Sequence, residues 1–161
     1  MAIQVGERLK QHGLLLVTAE SCTGGWLGQV ITTVAGSSAW YERGFITYSN
    51  RAKCEMLGVS HTTLEECGAV SEEIAQEMAF GALKMSHAQV SVSITGIAGP
   101  DGGSEAKPVG TICFAWALKE GLAKHKTYFF SGDRDAIRRQ SVITALQGIL
   151  SLLDEMPPSV V

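Results

Sequence analysis

The feature that most constrains this chain is an apolar run ending in a turn rich in hydroxyls and glycine. Residues 14–18 (LLLVT) follow Gly13 without a charged break. That is the pattern of a strand covered on both faces, as in a parallel or mixed sheet held between helices. Immediately after it stand Glu20-Ser21-Cys22-Thr23-Gly24-Gly25, and then a helical stretch over residues 26–34 that stops near Gly36. The pattern predicts a serine at the C-terminal end of a buried strand, the edge at which open α/β sheets bind ligands. Two glycines let a ligand approach the main chain closely. The start of the following helix offers N–H groups to a phosphate or an oxyanion. The same residues also suit a plain helix start, with Ser21 or Thr23 as cap and the glycines serving only packing.

The remaining pattern supports an α/β fold. Residues 5–12 read as a helix stopped by Gly13. Residues 44–49 (GFITYS) read as a strand, with Asn50 as N-cap of a short helix running to Gly58. Ser71-Glu72-Glu73 opens a helix whose apolar positions Ile74, Met78 and Ala82 repeat at helical spacing, and which ends near His87. Residues 90–95, 109–118 and 124–130 read as strands, the last two as a hairpin-like pair. A final helix spans residues 133–155 and is stopped by Pro157-Pro158. Early alternation of strand and helix followed by a late hairpin predicts a three-layer α/β/α sandwich with a mixed, largely parallel sheet. At 161 residues the chain is the length of one domain.

Composition narrows the function. Charged residues make up 18% with a net charge of −3, without the basic face that nucleic-acid binding calls for. No apolar run approaches the roughly 20 residues of a membrane helix. The N-terminus is polar and amphipathic rather than a signal peptide. Cys22, Cys54, Cys67 and Cys113 form no CxxC pair, and His12, His61, His87 and His125 form no HExxH motif, so neither disulfide nor zinc is expected. These readings place the protein in the cytoplasm, with no metal site and no nucleic-acid or membrane partner. Self-association into a homo-oligomer is left open.

Three further groups could carry chemistry. Lys53, placed in the first turn of the helix capped by Asn50, meets the positive end of the helix dipole. That field, and burial against Tyr48 once substrate is bound, would lower its pKa and suit it to act as a neutral base, with Tyr48 as proton donor or relay; the alternative is a solvated lysine beside a half-buried tyrosine. The glycine-rich segment 95–108 follows a buried strand, and loops of that length usually bind something. It matches neither a P-loop nor a dinucleotide fingerprint, and a simple hairpin excursion is the alternative. Arg134 and Arg138, four apart on one helix face, suit a phosphate clamp or pairing with Asp133 and Asp135. Cys22 is a rival to Ser21, although adjacent side chains usually diverge.

Several blocks together resemble the CinA C-terminal domain family: TAESCTGG (18–25), GSSAWYERGFITYSN (36–50), GAVS (68–71), SITGIAGPDGGSEAKPVGT (93–111) and SGDRDAIRRQ (131–140). The likeness extends over about residues 6–153. The family includes stand-alone nicotinamide-nucleotide amidases, so the resemblance implies hydrolysis of the carboxamide of nicotinamide mononucleotide without a cofactor. It also implies a three-layer α/β/α fold and a serine, lysine and tyrosine mechanism. On matching positions these are Ser21, Lys53 and Tyr48. Residues expected around the substrate are Glu20, Thr23, Gly24 and Gly25, then Thr95, Gly96, Ala98, Gly99, Gly102 and Gly103, and finally Arg134 and Arg138. Functions of the additional N-terminal domain of longer family members are not expected. The rival readings are a pyridine-nucleotide-binding module without turnover and a competence-related interaction module.

Overall fold

The computed structural model describes residues 1–156. In chain order it contains α1 (Ala2–His12), β1 (Leu16–Glu20), α2 (Trp26–Thr32), a 3-10 turn (Ser37–Ala39), β2 (Tyr41–Ile46), α3 (Asn50–Leu57), α4 (His61–Cys67), α5 (Glu72–Lys84), β3 (Val90–Gly96), β4 (Thr111–Leu118), β5 (Ala123–Phe129) and α6 (Arg134–Asp154). The sheet order is β2-β1-β3-β4-β5. β1 lies parallel to both β2 and β3, whereas β4 is antiparallel to β3 and β5. Only β4 is therefore reversed, and the sheet is mixed and largely parallel.

Side-chain alternation sorts the two faces. Leu16, Val90, Val92, Ile94, Ile112, Phe114 and Trp116 point to one side and pack with α1, α2 and α6 through Leu9, Ile31 and Ile149. The other side carries small residues, including Val17, Ala19, Cys113, Ala115 and Ala117, packed against α5 through Ala75, Met78, Ala79 and Ala82. Small side chains on both partners bring α5 close enough for Ser93 Oγ to donate to the Ala75 carbonyl at 2.5 Å. α3 is drawn in on the same face. At Gly81 of α5 an added Cβ would lie 2.1 Å from the Leu57 carbonyl oxygen, so glycine there is what permits the approach.

Several expected boundaries move. β1 begins at Leu16 and continues to Glu20, because Thr18 and Glu20 are as buried as their apolar neighbours. β2 starts at Tyr41, paired with Leu16, and ends at Ile46, three residues earlier at each end than the GFITYS pattern suggested. α3 is capped by Ser49, whose Oγ accepts the Ala52 amide at 3.0 Å; Asn50 is the first helical residue. α4 was not expected: it buries no residue and so has no apolar stripe to read. The stop at Pro157-Pro158 lies outside the described residues. No described helix is long and apolar enough to cross a membrane.

Candidate active site

The site lies where β1 ends between two parallel neighbours. The Ser21 amide donates to the Ile94 carbonyl at 2.9 Å, extending the β1–β3 ladder by one step, and Ser21 is left 7% exposed at the sheet edge. Gly24 and Gly25, with φ of +60° and +101°, then swing the chain into α2. Glu20 is buried below this turn. Its Oε1 accepts the amides of Gly25 (3.2 Å) and Leu27 (2.9 Å), and its Oε2 that of Gly28 (3.0 Å). The N–H groups expected to receive a phosphate are thus already held by a carboxylate of the protein itself, and the dipole is met there.

Lys53 reaches the same point from the other side. Its Nζ donates to Ser21 Oγ at 3.0 Å and to the Thr47 carbonyl at 3.0 Å, and the residue is 2% exposed. Among the described residues it forms no ion pair. Burial holds its pKa below the usual lysine value, partly opposed by the Cys22 and Cys54 thiols. Of the two influences expected, burial dominates: with Ser49 as cap, Lys53 stands at the fourth helical position, beyond the orphan amides where the dipole acts most strongly. Burial also pushes the Cys22 thiol up to about 12, which leaves it protonated and inert as a nucleophile.

Ser21 and Lys53 open onto a cavity of about 320 Å³ whose wall includes Tyr48, Thr95, Gly96, Ala98, Gly99, Gly102 and Arg134. Tyr48 is not interposed between Lys53 and Ser21. It is 63% exposed at the mouth, and its hydroxyl accepts from Arg134 Nη2 at 3.2 Å. Arg134 Nη1 donates to the Gly99 carbonyl at 2.8 Å, tying α6 to the glycine-rich loop. Thr95 Oγ1 donates to the Ala69 carbonyl at 2.8 Å. Gly96 leaves no room for a side chain, since a Cβ would lie 2.7 Å from the Thr111 carbonyl oxygen.

Six expected substrate contacts lie outside the lining. Glu20 is used by the α2 amides, and Thr23 is fully buried. Gly25 faces Ile46 and Gly24 faces Arg138, while Gly103 packs on the returning chain at Val109. Arg138 turns inward: Nε donates to the Cys22 carbonyl (3.1 Å) and Nη2 to that of Thr23 (3.0 Å), with its guanidinium 5.1 Å from the centre of the Trp26 ring. It braces the serine turn, while Asp135 pairs with Arg139 instead. Conversely, Asn50, Ala69, Val70, Ile97 and Asp101 line the cavity without having been named as substrate contacts, as does Cys22, expected only as a rival nucleophile. Asn50 and Asp101 carried a signal, being polar residues beside the lysine and within the glycine loop. A wider depression of about 810 Å³ is lined by Cys54, Met56, Phe80 and Met85 among others, with Cys54 Sγ 3.7 Å from His61 Nδ1.

Residues 1–153 match the family model described as the CinA C-terminal domain. The chain is 60% identical over 144 residues to the nicotinamide-nucleotide amidohydrolase PncC of Escherichia coli K12, covering 89% of this chain and 87% of that protein. It is 47% identical over 152 residues to the protein of the same name from Pseudomonas putida, covering 94% of each. A solved structure of the competence/damage inducible protein CihA from Agrobacterium tumefaciens superposes with a TM-score of 0.91 at 44% identity, covering 96% of this chain and 93% of that one.

Proposed function

This chain belongs to the CinA C-terminal domain family, and from that premise we propose that it hydrolyses the carboxamide of nicotinamide mononucleotide, giving nicotinate mononucleotide and ammonia. The observation that carries the reading is the direct 3.0 Å contact between a cavity-facing serine and a buried lysine, in a chain so similar to proteins named for that reaction.

Neutral Lys53 accepts the Ser21 proton as Oγ attacks the carboxamide carbon. The resulting lysine ammonium passes its proton to the amide nitrogen; the carbon–nitrogen bond breaks and ammonia leaves. Water then attacks the Ser21 ester, giving its proton to Lys53. The carbon–oxygen bond to Ser21 breaks, and Oγ recovers the proton. Within the serine turn, the amides of Ser21, Gly24 and Gly25 are already engaged, so the oxyanion donors are the amides of Cys22 and Thr23 or those of the glycine loop around Ala98 and Gly99. One such donor is typically worth about 3 kcal/mol. The direct Ser21–Lys53 contact leaves Tyr48 no relay to perform in the first proton transfer. We assign it, with Arg134, to holding the substrate. Arg134 is also the cation best placed at the mouth for the 5′-phosphate.

Ammonia and nicotinate mononucleotide measured together, with wild type and Ser21→Ala side by side, test this reading. Equimolar products from wild type and none from the variant are expected. A folded Ser21→Ala protein with near-normal kcat would remove the nucleophile assignment. No ammonia from wild type would favour binding without turnover. Nicotinamide riboside is expected to be a much poorer substrate, and equal kcat/KM for the two would remove the phosphate contact.

A further inference from the structure

The proposed substrate is a cation at its reacting end: the pyridinium ring that bears the carboxamide has a formal positive charge. Lys53 has no carboxylate to hold its own charge in place. Its two hydrogen-bond partners, Ser21 Oγ and the Thr47 carbonyl, are neutral. The buried carboxylate nearest in sequence to Ser21, Glu20, is spent on three α2 amides. Cys22 from the serine turn is a protonated thiol, and Cys54 on α3 supplies sulfur rather than a carboxylate and lies against the His61 ring. Tyr48 and Arg134 at the cavity mouth supply a phenol and a further cation, and the one acid in the lining, Asp101, is an exposed residue of the loop. On the α5 side of α3, Glu77 is bonded to the Ser60 amide and the Thr63 hydroxyl, and Glu73 lines the wider depression, so neither faces the reacting pair.

From this arrangement we infer that substrate charge sets the protonation of the base: the site selects N-substituted, cationic pyridine carboxamides because the bound ring expels a proton from Lys53 to solvent. The inference rests on the amidohydrolase reading above. Attack requires the carboxamide carbon about 3–3.5 Å from Ser21 Oγ, which brings the ring to within about 7 Å of Nζ. Two unit charges at that distance in a protein cavity shift an ionisation by roughly one to two pH units. The phosphate lies farther out, beside Arg134 and solvent, where its opposing field is screened. After hydrolysis the carboxylate product reverses the field at Nζ and favours the lysine ammonium. One carboxamide-to-carboxylate change thus arms the base for the substrate and disarms it for the product.

The test compares nicotinamide mononucleotide with benzamide riboside 5′-phosphate, an isostere in which carbon replaces the ring nitrogen and removes the charge. For wild type, the acid limb of the kcat–pH profile should lie about one to two pH units lower with the cationic substrate than with the neutral one. Intrinsic reactivity changes the height of the profile, not the position of the limb. Binding to Ser21→Ala gives a readout without turnover. Affinity for the mononucleotide should rise about tenfold or more as pH is raised through the ionisation of Lys53, whereas the isostere should show little change. Nicotinate mononucleotide should bind more weakly as pH rises, and Lys53→Met should flatten all three curves. Ammonia release from the mononucleotide with coincident acid limbs overturns this inference and leaves the amidohydrolase reading intact. Absence of ammonia release overturns both.

Discussion

Glu20 and Lys53 flank Ser21 from opposite sides, both 2% exposed, and they are treated in opposite ways. Glu20 sits among three backbone amides at a helix start, an environment built for its charge. Lys53 has two neutral oxygens and no counter-ion, an environment that works against its charge. A buried ionisable group with a full complement of partners serves structure. One held without them is poised to change protonation, which is what a general base must do. The difference separates a carboxylate held for structure from a lysine suited to the base role proposed for it, where burial alone does not.

The largest expected effect follows from the lysine side. Lys53→Arg keeps a cation but cannot serve as base near neutral pH. It should lower kcat by about 10²- to 10⁴-fold, close to the loss in Lys53→Ala. Steady-state kinetics decide: an arginine variant that keeps most of its kcat and the wild-type pH profile would leave the base unidentified. On the carboxylate side, Glu20→Ala should cost about 2–4 kcal/mol by denaturant unfolding, because it strands amide donors at the start of α2. A loss below roughly 1 kcal/mol would mean that water replaces the carboxylate.

Lys53→Met sharpens the contrast, because it should stabilise the fold. The native pKa of Lys53 is depressed, so wild type must bury a charge or release a proton on folding whenever pH lies below the unfolded value of about 10.4. Its native state gains stability as pH rises from the folded pKa toward that value. The variant has no such dependence. It should exceed wild type by about 0.5–2 kcal/mol at neutral pH, with the gain shrinking toward pH 10 or so. Thermal melts of the two proteins across pH measure this, and a constant or growing gap would contradict it. The smallest effect should come from Cys22→Ala. A thiol held protonated contributes no nucleophile, so kcat should stay within about threefold of wild type. A larger fall in kcat would return Cys22 to the reaction.

The legible and illegible parts of this site differ for physical reasons. The serine turn was readable because glycine pairs and a buried strand are local signals, and Gly13 and Gly58 marked helix ends through the left-handed conformation they adopt. β1 was read two residues early because apolarity was taken for burial, whereas Thr18 and Glu20 are buried polar residues satisfied by Tyr41 and the α2 amides. α4 escaped because a seven-residue helix that sets only Leu64 against the core has no hydrophobic period to read. The roles of Glu20 and Arg138 could not be read from spacing, since each is defined by partners that only the folded chain brings near. Arg138 reaches back 116 residues to the Cys22 carbonyl. Lys53 was legible as a candidate, but the larger of the two influences on it, burial by tertiary packing, depends on partners that only the folded chain supplies.

The close pass of α3 over α5 at Gly81 has a bearing on reactivity. Lys53 stands one turn before Leu57, whose carbonyl fills the space that a side chain at residue 81 would take. The height of the lysine above Ser21 is therefore set from behind, by how closely two helices can be stacked. A single methyl group at residue 81, outside the cavity, would act as a shim under α3, and the gap it opened would be felt at Nζ. On the proposed mechanism, the reach of the proton transfer from Ser21 is then set by a thickness of packing.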